Sequence, residues 1–192
     1  MARISSLSKS DQKLVRRMWK GKEVRPKKII RLHDEIRSDF YEQSDLSPEG
    51  LDWKKPTKKI NAEVPKGRLK PMEEISDGFI DEIVNFKGTK RHVIANLGIR
   101  KAGTRVGIHV HENDGITFVL KGKGEITDFV EGSERSLNKQ GDYYFMPRNV
   151  PMSASNLSGS DMTLLDLFVT DISTPLITII EPGYPGYRNP VL

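Results

Sequence analysis

The chain has 192 residues, enough for one domain with additions, and carries a net charge of +5 and a mean hydropathy of -0.51. It contains no cysteine, which excludes disulfides, thiolate chemistry and Cys-based zinc sites. No apolar run is long enough to cross a bilayer, and the polar N-terminal segment has no apolar signal core, so a soluble cytoplasmic protein with no membrane partner is expected.

The charge is uneven. Residues 1–70 hold 19 of the 31 Lys and Arg but 10 of the 26 Asp and Glu, so a basic arm precedes a mildly acidic remainder. A solvated arm, or one docked on the acidic part, explains this better than an anionic partner. Ser10 is placed to cap a helix from Asp11 to Lys20, with Leu14, Val15, Met18 and Trp19 on one face. Pro26 opens a second helix from Lys27 to Gln43. Ile29, Ile36 and Phe40 mark its apolar side, Ile30 and Leu32 lie beside it, and His33 reads as a surface or partly packed residue. Two helices separated by Gly21 to Pro26 are too few for a DNA-binding domain, so nucleic acid is not an expected partner. Pro48, Gly50, Pro56, Pro65, Gly67 and Pro71 make residues 44–72 a loop that wraps on the rest.

Short strands follow. They are predicted from Phe79 to Phe86, Lys90 to Ile99, Thr104 to His111, Ile116 to Lys121, Glu125 to Val130, Tyr143 to Met146, Met152 to Asn156 and Met162 to Val169. Gly turns at regular spacing between them indicate a mainly-β sandwich or barrel. A last strand from Ile177 to Ile180 leads into a Pro, Gly and Tyr tail, laid over a barrel face or a neighbouring subunit.

Two of the four histidines, His109 and His111, sit two apart on a predicted strand, which puts both imidazoles on one face. Such a pair suits a metal or a proton-transfer site. Arg105 shares their parity. Buried there, it needs a protein carboxylate or an anionic substrate, and the sequence does not choose between them. A metal needs a further ligand. Asp114 has the right parity, although Glu112-Asn113-Asp114-Gly115 also reads as a solvated turn; Glu112 alternates away from His111. Without metal, His109 or His111 can act as general acid or base, with Tyr144 and Asp166 as partners. An Asp inside Leu164-Leu165-Asp166-Leu167-Phe168 must face a cavity, a partner or water. An ion pair of Asp166 with Arg91, Arg100 or Arg105 is an equally good reading. His92 reads as packed and hydrogen-bonded.

The spacing of these residues resembles the cupin superfamily. Gly103, His109, His111 and Gly122 fit its first motif, with Gly115 at the family's Glu position. Gly141, Pro147 and Asn156 fit its second, with Asn149 for a Gly and Met152 for the third His. The resemblance covers about residues 78–170. It implies an RmlC-like jelly-roll barrel, a double-stranded β-helix, with an N-terminal helical extension. The expected division is an arm and wrapping loop at 1–72, a barrel at 73–175 and a tail at 176–192. It further implies a histidine face that looks into the barrel, and a homodimer. The implied activity is that of a small-molecule dioxygenase, lyase or isomerase acting on a small, anionic substrate. His109, His111, Arg105, Tyr144 and Asp166 are the catalytic candidates. His109, His111 and Asp114 are the candidate ligands of one divalent transition metal (Fe, Mn, Ni or Zn). The alternatives are a metal-free isomerase, epimerase or cyclase, and a non-catalytic module that binds a small ligand.

Overall fold

The structure is a computed structural model, and it describes residues 2–51, 53, 64–75, 80–170 and 175–187. Phe79 of the first predicted strand, Pro56 of the predicted loop and the last five residues of the tail lie outside the described residues. Helices α1 (Lys9–Trp19) and α2 (Pro26–Gln43) follow a two-residue strand β1 (Ala2–Arg3). Then come β2 (Arg68–Leu69), β3 (Glu73–Glu74), β4 (Ile80–Phe86), β5 (Thr89–Arg100), β6 (Thr104–Arg105), β7 (His109–Val110) and β8 (Gly115–Lys121). They are followed by β9 (Glu125–Val130), β10 (Ser136–Lys139), β11 (Asp142–Met146), β12 (Met152–Asn156), β13 (Met162–Thr170) and β14 (Thr178–Ile179). No helix among the described residues is long and apolar enough to cross a membrane.

Two facing sheets make a jelly-roll barrel. One runs β1-β11-β8-β13-β5-β3, with β4 also on β5. The other runs β10-β9-β12-β6-β2, and β7 lies between β12 and β14. The central strands of the first sheet, β8, β11 and β13, are buried on both faces, which explains why they read as apolar runs rather than alternations. Val93, Ala95, Leu97, Ile116, Phe118, Leu120, Phe145, Leu165, Leu167 and Val169 form one core with the two helices. Residues of the opposite parity, among them Thr117, Tyr144, Leu164 and Asp166, line the barrel interior instead. The outer layer is therefore the greasier one, and the interior is free to carry polar groups.

The helices supply that outer layer. Leu14, Val15 and Met18 of α1, and Ile29, Ile30, Leu32 and Ile36 of α2, are buried in the same core as the sheet. Each such side chain contributes about 1.5–3 kcal/mol on burial. Ser8 caps α1 by accepting from the Asp11 N–H at 3.2 Å, in place of the predicted Ser10. His33 is fully buried, against expectation, because its Nε2 meets the Asp114 carbonyl at 3.0 Å and pins α2 to the loop before β8. The predicted strand from Thr104 to His111 splits into β6 and β7. The break over residues 106–108 decides the site.

Candidate functional site

Between the sheets lies a cavity of about 550 Å³. Its deep lining is Arg100, Val106, His109, His111, Thr117, Asp128, Tyr144, Met146, Met152, Leu164 and Asp166, with Tyr184 of the tail closing one side. Both histidines are buried. His109 is held from two sides, paired with Met152 of β12 and Ile179 of β14. The His111 carbonyl accepts from the Asn149 N–H at 2.7 Å. Asn149 turns the chain there with φ of 53°, the left-handed conformation expected at the family's Gly position.

The Nε2 atoms of His109 and His111 face each other at 3.0 Å. His109 Nδ1 lies 2.8 Å from the Gly107 carbonyl and His111 Nδ1 lies 2.7 Å from the Leu176 carbonyl. A carbonyl can only accept, so each Nδ1 carries its hydrogen and each Nε2 of a neutral ring is left with a lone pair. Burial pushes His111 down to about 4, and burial together with His111 holds His109 well below the usual range. At neutral pH two lone pairs therefore converge across 3.0 Å, an arrangement that asks for a cation. Two imidazole nitrogens about 2.1 Å from one ion and at a right angle lie about 3.0 Å apart. The pair thus fits a metal ion, with the carbonyls as the partners that orient ligating imidazoles.

A third protein ligand does not join them: no group of three or more His, Cys, Asp or Glu that could hold an ion exists among the described residues. Asp114 is not brought to the pair. Its carboxylate accepts from Arg37 Nε at 2.6 Å, Tyr41 Oη at 2.7 Å and the Arg148 N–H at 2.9 Å, so it ties α2 and the β11–β12 loop together. Glu112 does not line the cavity either. At Gly115 an added Cβ would lie 2.3 Å from Phe168 Cε1 and 2.7 Å from Met146 Cε. The Phe168 ring fills the family's carboxylate position from β13 and packs 4.8 Å from the His111 ring. Gly115→Ala is accordingly expected to cost about 1–3 kcal/mol in urea unfolding, and a Phe168→Ala background should remove most of that cost.

Arg105 is also placed elsewhere. Its Nη1 and Nη2 each donate to Glu181 at 2.6 Å, and the Ile108 N–H donates to the same carboxylate at 2.7 Å. The chain breaks parity over 106–108, so Val106 rather than Arg105 lines the cavity with the histidines. Of the two readings weighed for Arg105, the protein carboxylate holds.

Asp166 and Tyr144 do line the cavity. Asp166 accepts from Thr117 Oγ1 at 2.6 Å, and its remaining surface opens into the cavity. Burial raises the pKa of Asp166 and lifts that of Tyr144 well above the usual range, so Tyr144 stays a proton donor. His92 is hydrogen-bonded, as expected, and its partner is Asp81 of the neighbouring β4. Two cavity residues had no role in the sequence reading of the site. Asp128 is buried, and burial pushes it up to about 8. Arg100, weighed only as a partner of Asp166, ends β5 in the cavity wall. Its parity with Ile94, Asn96 and Gly98, opposite to the helix-facing Val93, Ala95 and Leu97, was a signal that could have found it.

Residues 89–168 match the family model for the cupin domain. No curated protein sequence matches the chain. Among solved structures it is similar to the DMSP lyase DddQ of Ruegeria pomeroyi DSS-3, at 23% identity and a TM-score of 0.41 over 56% of this chain and 54% of that one. It is similar to a cupin-like protein of Thermotoga maritima MSB8, at 15% identity and a TM-score of 0.42 over 65% and 92%. An RmlC-like cupin of Methanocaldococcus jannaschii with a double-stranded β-helix fold aligns at 22% identity and a TM-score of 0.38 over 52% and 88%. The chain spans about half the length of the DMSP lyases it matches.

Proposed function

We propose, from the match of residues 89–168 to the cupin-domain family model, that this chain is a metal-assisted small-molecule enzyme of the lyase, isomerase or dioxygenase type, acting on a small anionic substrate at His109 and His111. The observation that carries the reading is the convergence of two lone-pair nitrogens, 3.0 Å apart, on the wall of a cavity large enough for a metabolite. Bound there, an Fe, Mn, Ni or Zn ion supplies a Lewis acid for a substrate oxygen.

The chain's own residues do the rest. His109 and His111 present Nε2, fixed by the carbonyls of Gly107 and Leu176. Tyr144, with its pKa raised by burial, donates a proton at Oη. Asp166, aimed by Thr117 Oγ1, exchanges a proton at its carboxyl. Met146, Met152 and Leu164 narrow the cavity and exclude water, which strengthens each polar contact inside it.

The test is metal content, by elemental mass spectrometry, of protein purified without a His tag or chelator. Near-stoichiometric metal is expected, and its loss in the His109→Ala/His111→Ala double variant. Absence of metal from the wild type, even after reconstitution with each of the four ions, would sink the reading. A metal-free isomerase, epimerase or cyclase is the second reading. It is favoured by three titratable groups of one cavity whose pKa values burial raises, Asp128, Tyr144 and Asp166, and it predicts turnover that survives chelation.

A further inference from the structure

Arg100 is a buried cation with no ion-pair partner among the described residues. Its residue is 6% exposed and its side chain lines the cavity. Nη1 donates to the Lys70 carbonyl at 2.5 Å, Nε is buried with no acceptor, and the Tyr184 phenol lies near enough to feel the guanidinium charge. Among the described residues no carboxylate forms an ion pair with it. The contrast with Arg105 is direct: that guanidinium is held at both Nη atoms by Glu181, and Arg100 has no such partner. An arginine cannot escape the cost of burial by losing its proton, as a lysine can. A buried charge left unpaired is costly, and among the described residues none forms an ion pair with this one.

The other acids of the cavity do not fill that place. Burial keeps Asp128 protonated to about pH 8; Asp166, also raised by burial, feels the charge of Arg100 but accepts from Thr117 and forms no ion pair with the guanidinium. Glu74 lines the mouth of the cavity without pairing to Arg100. The charge of Arg100 is felt at His109, Tyr144 and Asp166, so the cation and the histidine pair belong to one compartment.

We propose that Arg100, assisted by Tyr184, is the subsite that holds the anionic group of the substrate, and that the substrate is a small carboxylic acid whose other end reaches His109 and His111. The inference rests on the reading of this cavity as the active site. Guanidinium geometry suits a carboxylate or a phosphate alike, and the charge-assisted contact is the same in kind.

The experiment is calorimetric titration of the full chain with matched probes: benzoate against benzamide, succinate against succinamide, and phenyl phosphate. The acids are expected to bind and the amides not to. Arg100→Gln should weaken acid binding about 10- to 100-fold, and Arg100→Lys should weaken it less. Preference for phenyl phosphate over benzoate would keep Arg100 as an anion subsite but overturn the carboxylic acid as its substrate. Equal binding of acid and amide, undiminished acid binding in Arg100→Gln, or no acid binding at all would overturn the proposal. If Arg100→Gln does not fold, the acid–amide comparison and Arg100→Lys still decide. Each titration is run with metal content measured and again after chelation. Acid selectivity that depends on Arg100 in metal-free protein keeps this inference while the metal reading falls. Full metal loading without acid selectivity does the reverse.

Discussion

Replacing Asp114 with alanine is expected to destabilise the protein by about 2–4 kcal/mol and to loosen the His111 side of the cavity. Asp114 is 5% exposed, and its two oxygens take three hydrogen bonds from Arg37, Tyr41 and the Arg148 backbone. Breaking a buried ion pair costs about 3–5 kcal/mol when the remaining charge stays buried. The Arg37 side chain is 38% exposed, so once released it returns to water and the cost is discounted. What remains is a half-buried tyrosine hydroxyl and a backbone N–H without acceptors, each worth about 1–3 kcal/mol. The effect reaches the site through the next residue, because the Asn149 N–H donates to the His111 carbonyl. Urea unfolding reads the stability, and hydrogen exchange at Arg148 and Asn149 reads the loop. Asp114→Asn keeps an acceptor and should cost roughly half as much. A fully stable Asp114→Ala variant with unchanged exchange would show that this hub holds nothing.

The barrel and the histidine pair were legible in the sequence for a physical reason. Strand alternation is local, so His109 and His111 had to share a face, and Gly turns mark strand ends without help from distant residues. Asp166 was legible in part: a carboxyl within an apolar run had to face a cavity, a partner or water, and of these it lines the cavity. The failures are all tertiary. Asp114 looked like a solvated turn because nothing in its own segment shows that α2 brings Arg37 and Tyr41 to it. Arg105 had the right parity only for an unbroken strand, and the break over 106–108 is set by Glu181, more than 70 residues away, through its bond to the Ile108 N–H. His33 gained its burial from the same docking of α2. The functional choice between metal and acid–base chemistry was not legible, since the Nε2 separation depends on carbonyls contributed by Gly107 and by Leu176 of the tail.

Between pH 6.5 and pH 8 the metal-free protein is expected to lose roughly 2 kcal/mol of stability, and Asp128→Asn is expected to remove most of that loss. Asp128 is an acid whose folded pKa is raised by burial from 3.8 to about 8. Between those values the folded chain keeps a proton that the unfolded chain has released, so stability falls as pH rises, by about 1.4 kcal/mol per unit. Asp166, also raised by burial, adds a fall of the same sign. The histidines act in the opposite direction. His111 is lowered to about 4 and His109 well below its ordinary value of 6.5, so folded neutral rings face unfolded charged ones below pH 6.5, and stability there rises with pH. The two trends oppose each other up to pH 6.5. Above it the histidines are neutral in both states and Asp128 acts uncompensated until it ionises near pH 8. A stability maximum near pH 6.5 follows, with a descending limb led by Asp128. Chelated protein is unfolded in urea at half-unit steps from pH 5 to pH 9, with Asp128→Asn alongside. A variant whose descending limb matches that of the wild type would place the titrating group elsewhere. A flat limb in the variant would identify Asp128 as an acid that enters the cavity protonated and is available to give its proton there.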